Sequence, residues 1–257
     1  MYSGKTIGIV GGLGPFAGID MVKQIFYHTK ANTDQDHIPV ILISAPQQIE
    51  PRVTFVLGES SKNPAHSIVT VIQKLERAGA DIIGIPCNTA HAPMIMNIVK
   101  QELKKRKSNI VLINMIDEIF HTIKKKHPNT TNVGILTTSA MYETHIYKNI
   151  IQSHGYNAII PPADMQRHLV NQAIYDKEYG IKSQSHPVSL QARANLLESM
   201  QYLIEEKADV IILGCTELPL AIHEQVIDQV PIIHSTMVLA TALIKKASPE
   251  RLKDGMS

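Results

Sequence analysis

Ala80-Asp81-Ile82-Ile83-Gly84-Ile85-Pro86-Cys87 returns 128 residues later as Ala208-Asp209-Val210-Ile211-Ile212-Leu213-Gly214-Cys215. Each copy is an apolar run without polar alternation, the pattern of a parallel strand covered on both faces. Each ends in Cys, and these are the two Cys of a 257-residue chain. Thr6-Ile7-Gly8-Ile9-Val10 and Asn132-Val133-Gly134-Ile135-Leu136 repeat in the same way, at an offset of 126. The second half of the chain therefore restates the first. Around these runs lie the strand candidates Thr6–Gly11, Pro39–Ser44, Asp81–Pro86, Ile110–Ile113, Asn132–Thr137, Asn157–Pro161, Asp209–Gly214 and Pro231–Ile233. They alternate with helix-like segments, among them Pro64–Ala78, Ala92–Lys107, Tyr142–His154 and Leu190–Lys207. The alternation predicts an α/β fold of two similar parallel-sheet lobes related by pseudo-two-fold symmetry, each with about four strands. The expected division is 1–114 for the first lobe, rejoined by a C-terminal helix at 236–257, and 115–235 for the second. No Gly/Ser-rich or Pro-rich linker separates the halves, so the lobes should be packed together.

Composition narrows the classes. A hydrophobic fraction of 44% excludes intrinsic disorder, and 19% charged residues is ordinary for a globular chain. No apolar run reaches the roughly 18 residues that a membrane span needs. Residues Met1 to Lys5 lead straight into a strand-like run, so no signal peptide is expected and the protein reads as cytoplasmic. A net charge of +2 and a pI near 8.4 fall short of a nucleic-acid binder. Lys104-Lys105-Arg106-Lys107 and Lys124-Lys125-Lys126 each close a helix-like segment, where cations offset the helix dipole.

Both Cys occupy one position of the repeat, just beyond a buried strand and before Asn88-Thr89 or Thr216-Glu217. Ligands of open parallel sheets bind beyond the carboxyl ends of the strands. Two facing lobes would thus set one thiol on each side of a shared cleft, with the active site between them. A free Cys titrates near 8.5, and a helix N-terminus with donors such as Asn88, Thr89 and Thr216 is expected to lower that value. Paired thiols suit one task in particular. One thiolate removes a proton from a carbon, the opposite thiol protonates the other face, and the roles exchange for the reverse reaction. A small-molecule substrate and cofactor-independent inversion of an amino acid follow from that reading.

The chain resembles the aspartate/glutamate racemase superfamily, most closely its aspartate branch. The resemblance rests on Gly8-Ile9-Val10-Gly11-Gly12-Leu13-Gly14-Pro15, Pro86-Cys87-Asn88-Thr89-Ala90-His91, Leu136-Thr137-Thr138 and Gly214-Cys215-Thr216-Glu217-Leu218. It implies a two-lobed enzyme, typically a homodimer, that needs no pyridoxal phosphate and carries its catalytic pair at Cys87 and Cys215. It further implies that Asn88, Thr89, Thr138 and Thr216 hold the substrate amino and carboxylate groups, with Gly12 offering a backbone donor. His91 and Glu217 would support them, and Glu217 stands where glutamate racemases usually have His. Pro46-Gln47-Gln48-Ile49-Glu50-Pro51-Arg52 resembles a loop whose Arg binds a carboxylate, which points to Arg52. Ile174-Tyr175-Asp176-Lys177-Glu178-Tyr179-Gly180-Ile181-Lys182 resembles a segment whose Lys assists, and favours Lys182 over Lys177. The chain departs from the family at Leu13, at Ala140-Met141 and at His234.

Rival readings are weaker. Gly12-Leu13-Gly14-Pro15-Phe16-Ala17-Gly18 misses the G-x-G-x-x-G spacing of a dinucleotide site. Cys87, His91, Cys215 and His234 could supply a zinc set, although the twelve His show no paired ligand spacing. A hydantoin racemase, a maleate isomerase-like enzyme or a decarboxylase would share the fold, and so would a non-catalytic amino-acid or dicarboxylate binder. Retention of both thiols favours the racemase.

Overall fold

Ile7, Ile9 and Val10 in the first apolar run and Ile211, Ile212 and Leu213 in the matching late run lose nearly all contact with solvent. β-branched side chains at that density favour extended backbone, and burial on both faces selects parallel pairing. The computed structural model describes residues 4–255; Met1 to Ser3 and the final two residues of the expected 236–257 helix lie outside the described residues.

One sheet joins β1 (Ile7–Gly11), β2 (Val40–Ser44), β3 (Ile82–Gly84) and β4 (Val111–Leu112) in the order β2-β1-β3-β4. All its pairings are parallel, with Ile7 beside Val40 and Ile82. The other joins β5 (Asn132–Thr137), β6 (Asn157–Ile159), β7 (Val210–Gly214), β8 (Val226–Ile227) and β9 (Val230–His234) in the order β6-β5-β7-β9-β8. Its first four strands repeat the order of the first sheet. β8 is an addition that the sequence reading missed, a two-residue antiparallel edge on β9. Two residues are too few to show a period.

The repeat extends to individual contacts. A Cβ at Gly8 would meet Ile83, Ala80 and Leu75, and one at Gly134 would meet Ile211, Ala208 and Leu203, the residues 128 positions further on. Asp81 accepts the Thr6 N–H at 2.8 Å, and its counterpart Asp209 accepts the N–H groups of Thr131 and Asn132, each at 2.8 Å.

The helices are α1 (Pro15–His28), α2 (Arg52–Val56), α3 (Ala65–Arg77), α4 (Pro93–Lys105), α5 (Met115–Lys126), α6 (Ser139–Glu143), α7 (Ile146–Ser153), α8 (Ala163–Met165), α9 (Asn171–Tyr175), α10 (Leu190–Glu205) and α11 (Ser235–Ala247). Asn114 caps α5 and Ser189 caps α10, each accepting a backbone N–H of the first turn. The basic runs do close α4 and α5. The segment expected as one helix over Tyr142–His154 is instead α6 and α7. They are separated at His145, which adopts a left-handed φ of 55°. The expected 236–257 helix stops at Ala247, because Ser248 turns extended and Pro249 opens a short 3-10 turn. Leu243 of α11 packs on the first sheet, within 2.7 Å of where a Gly84 Cβ would stand. No helix among the described residues is long and apolar enough to cross a membrane.

Candidate active site

The four central strands, β1 and β3 of one sheet and β5 and β7 of the other, deliver their carboxyl ends to one cavity of about 280 Å³. That is just below the usual range for ligand sites, roughly 300–1,000 Å³. Leu13 follows β1, Cys87, Asn88 and Thr89 follow β3, Thr138 follows β5, and Cys215, Thr216 and Glu217 follow β7. Pro46, Ile49, Pro51, Arg52 and Val53 close one wall, and Tyr175 and Lys182 another.

Of the site residues inferred from sequence, Cys87, Cys215, Arg52, Asn88, Thr89, Thr138, Lys182, Thr216 and Glu217 all line this cavity. Two lie beside it. Gly12 sits against the backbone of Ala45 and Pro46, which leaves no room for a Cβ and brings the β1 loop onto the Arg52 loop. His91 is buried behind the first Cys turn, its Nε2 3.1 Å from the Ile85 carbonyl. Burial pulls the His91 ring down to about 4, so it stays neutral. Lys177 is exposed and outside the cavity. His234 lies elsewhere too, its Nε2 2.7 Å from the Glu224 carbonyl.

Hydrogen bonds stitch the lobes together around the thiols. Thr216 donates to the Pro86 carbonyl at 3.1 Å, and the Thr89 and Thr138 hydroxyls meet at 3.2 Å. Asn88 donates to Ser235 at 3.1 Å and accepts from the buried Tyr147 hydroxyl at 3.2 Å. These bonds fix the Asn88 amide, which keeps only one N–H for a ligand. Both cysteines are free and buried.

The expected helix N-termini behind the thiols are absent as such. Cys87 precedes a four-residue 3-10 turn, Asn88–His91, and the α-helix starts only at Pro93. Cys215 precedes another short turn, Leu218–Leu220. The expected gain in thiol acidity also fails at Cys215. Burial and the neighbouring Glu217 carboxylate push this thiol well above its ordinary value.

Glu217 is the hub of that side. One of its oxygens pairs with the Lys182 ammonium, and the other accepts from Cys215 Sγ at 3.0 Å. Burial drives the Glu217 carboxyl upward, but Lys182 and the hydrogen bonds from Cys215 and Lys182 outweigh it and hold the group ionised. Lys182 gains in return: burial lowers it, and Glu217 more than restores it. Gly14 is the residue that makes room. Its φ is 142°, and a Cβ there would collide with the Glu217 carboxylate.

Arg52 donates from its terminal nitrogens to the Leu13 carbonyl at 2.9 Å and the Glu50 carbonyl at 3.3 Å. Its Nε is buried with no partner, and so is the Tyr175 hydroxyl. A buried donor left unpaired costs about 1–3 kcal/mol. Two such atoms at one cavity mark where a ligand oxygen would bond. Among the polar residues of the wall, Tyr175 is one that the sequence does not single out, because nothing in a lone Tyr predicts which way it faces.

The family model for Asp/Glu/hydantoin racemases matches residues 10–243. The chain is 28% identical to the broad specificity amino-acid racemase RacX of Bacillus subtilis over 243 residues, 93% of this chain and 96% of that protein. It is 29% identical over 175 residues to a glutamate racemase of Koribacter versatilis, 67% of this chain and 55% of that one. Its fold overlays that of Picrophilus torridus aspartate racemase with a TM-score of 0.77 and 29% identity, across 98% of both chains.

Proposed function

The chain belongs to the Asp/Glu/hydantoin racemase family, and we propose that it interconverts the L and D forms of an acidic amino acid by proton transfer between Cys87 and Cys215. The observation that carries this reading is the meeting of both thiols, one from each lobe, at a single small cavity. A thiolate on one face takes the α-proton and leaves the electron pair on the α-carbon. The opposite thiol donates a proton to the other face and becomes the thiolate that serves the reverse reaction. The residues named suffice for this exchange without a cofactor.

Charge supports an acidic substrate. Arg52 and Lys182 bring two cations to the cavity wall, one for each carboxylate of aspartate or glutamate, whereas a neutral amino acid offers a single carboxylate. The unpartnered Arg52 Nε and Tyr175 hydroxyl then serve a substrate carboxylate. Aspartate is favoured by the likeness to an aspartate racemase, while the RacX likeness supports testing a wider panel. The family resemblance also supports a homodimer, which size-exclusion with light scattering would test.

Incubation with L-aspartate, L-glutamate and a panel of neutral amino acids in deuterated water is the decisive experiment. Appearance of the D form carrying solvent deuterium at the α-carbon is expected for the acidic substrates. Binding without exchange would instead identify a non-catalytic amino-acid binder.

A further inference from the structure

Lys182 faces two claims on a single ammonium group. It is the cation inferred to assist a substrate carboxylate, yet Glu217 already holds it. Glu217 in turn is the hydrogen-bond acceptor of the Cys215 thiol. We propose that an incoming side-chain carboxylate draws Lys182 away from Glu217, and that Glu217, so released, takes the proton of Cys215. The proposal rests on the two-thiol reading above and adds a switch to it: the group that recognises the acidic side chain also arms one of the two bases.

The physical basis is a balance visible in the site. Glu217 is buried, and burial disfavours its charge; the charge of Lys182 is the main force that keeps it ionised. Weakening that contact leaves a buried carboxylate whose cheapest remedy is a proton. The nearest one is on Cys215 Sγ, 3.0 Å away. The S–H bond breaks, an O–H bond forms on Glu217, and Cys215 becomes a thiolate with no net change in charge. That thiolate takes the α-proton while Cys87 protonates the opposite face. On product release Lys182 returns to Glu217 and Glu217 loses its proton to solvent, while Cys87 stays a thiolate that either takes the α-proton of the opposite enantiomer or takes up a solvent proton to restore the starting state. Cys87 has no carboxylate in the equivalent place, where Thr89 stands.

The test uses the wild-type protein first. Deuterium wash-in from the separate enantiomers of aspartate and of asparagine reports the two thiols individually, once single Cys→Ser variants have assigned each enantiomer to its thiol. Asparagine keeps the shape of aspartate and replaces the carboxylate by an amide. The expected result is that this replacement slows exchange on the Cys215 side at least about tenfold more than on the Cys87 side. Glu217→Gln should slow the Cys215 side by about 10²-fold or more, in the range of general acid–base catalysis. It should also erase the difference in sidedness between aspartate and asparagine. Equal slowing of both sides by the amide overturns the switch, and so does asparagine exchanging on neither side. Equal slowing of both sides by Glu217→Gln does the same. If that variant does not fold, the wild-type comparison decides alone. Failure of the wild type to exchange any substrate would sink the racemase reading itself, an outcome distinct from these.

Discussion

The turn after β3 and the turn after β7 hold the same place in two copies of one scaffold, yet they surround their thiols differently. Around Cys87 stand neutral amides and hydroxyls: Asn88, Thr89, Tyr147 and Ser235, locked in cross-lobe hydrogen bonds. Around Cys215 stands an ionic cluster of Glu217 and Lys182, with Tyr175 close to the ammonium. The scaffold sets where the sulfur atoms go, because parallel strands of equal register end at equal heights. Two places beyond Cys215, Glu217 accepts its S–H, whereas Thr89, two places beyond Cys87, meets the Thr138 hydroxyl instead. A pair of bases can therefore be matched in position and unmatched in surroundings.

The largest effect should come from the sulfur atoms. Cys87→Ser and Cys215→Ser are each expected to lower racemisation by about 10²–10⁴-fold, the range of acid–base catalysis. Each variant should retain α-proton exchange with one enantiomer only, and a different one. Polarimetry with NMR of deuterium incorporation measures both quantities; full racemisation by either variant contradicts the two-base assignment.

Arg52→Ala comes next. Hydrogen bonds to charged groups contribute about 1.5–3 kcal/mol, or roughly 10- to 150-fold in binding. Acidic substrates should lose that much in kcat/KM while neutral ones lose far less. An equal loss for both classes would mean that Arg52 does not touch the side-chain carboxylate.

Gly14→Ala probes the asymmetry from the other lobe. Its Cβ would displace the Glu217 carboxylate and strain a φ of 142°. Strain of that kind costs about 1–3 kcal/mol, and each kcal/mol is about 2–4 °C in Tm for a chain of this size. A fall in Tm together with selective loss of exchange on the Cys215 side is expected. A fall in Tm with both sides equally affected would make Gly14 purely structural.

The smallest effect separates the two strand caps. Asp209 accepts from Thr131 N, Thr131 Oγ1 and Asn132 N, whereas Asp81 accepts the Thr6 N–H. Both Asp are exposed, so solvent limits each contribution to about 1 kcal/mol or less. Asp209→Asn should destabilise more than Asp81→Asn in urea titrations at pH 7. Partial burial raises the Asp209 carboxyl, but its backbone hydrogen bonds outweigh that and hold it below the usual range. Its contribution is therefore complete above about pH 4 and fades as pH falls through the native value. Asp209→Asn should flatten that acid limb, and an unchanged acid limb would mean that Asp209 does not stabilise the fold by this route.

Much of this molecule is legible in its linear order. Parallel strands buried on both faces must be continuous apolar runs, so the strands of both sheets apart from β8 stand out. Duplication exposed the equivalence of Cys87 and Cys215, since a shared offset is a property of order alone. Of eleven site residues expected from the sequence, most by their place beside a strand end and Arg52 and Lys182 through the family resemblance, the fold gathers nine at the cavity and leaves Gly12 and His91 beside it. What order could not supply was anything made by side chains meeting across the fold. The break at His145, the stop at Ala247 and the two-residue edge strand turn on local backbone choices that several sequences would share. The protonation of Cys215 is not legible in the sequence for a deeper reason. A thiol's acidity depends on which charges fold over it and how much water they exclude, and Glu217 meets Lys182 from 35 residues away. Spacing along a chain fixes the direction in which a residue leaves its strand, but electrostatics in a buried cavity belongs to the assembled whole.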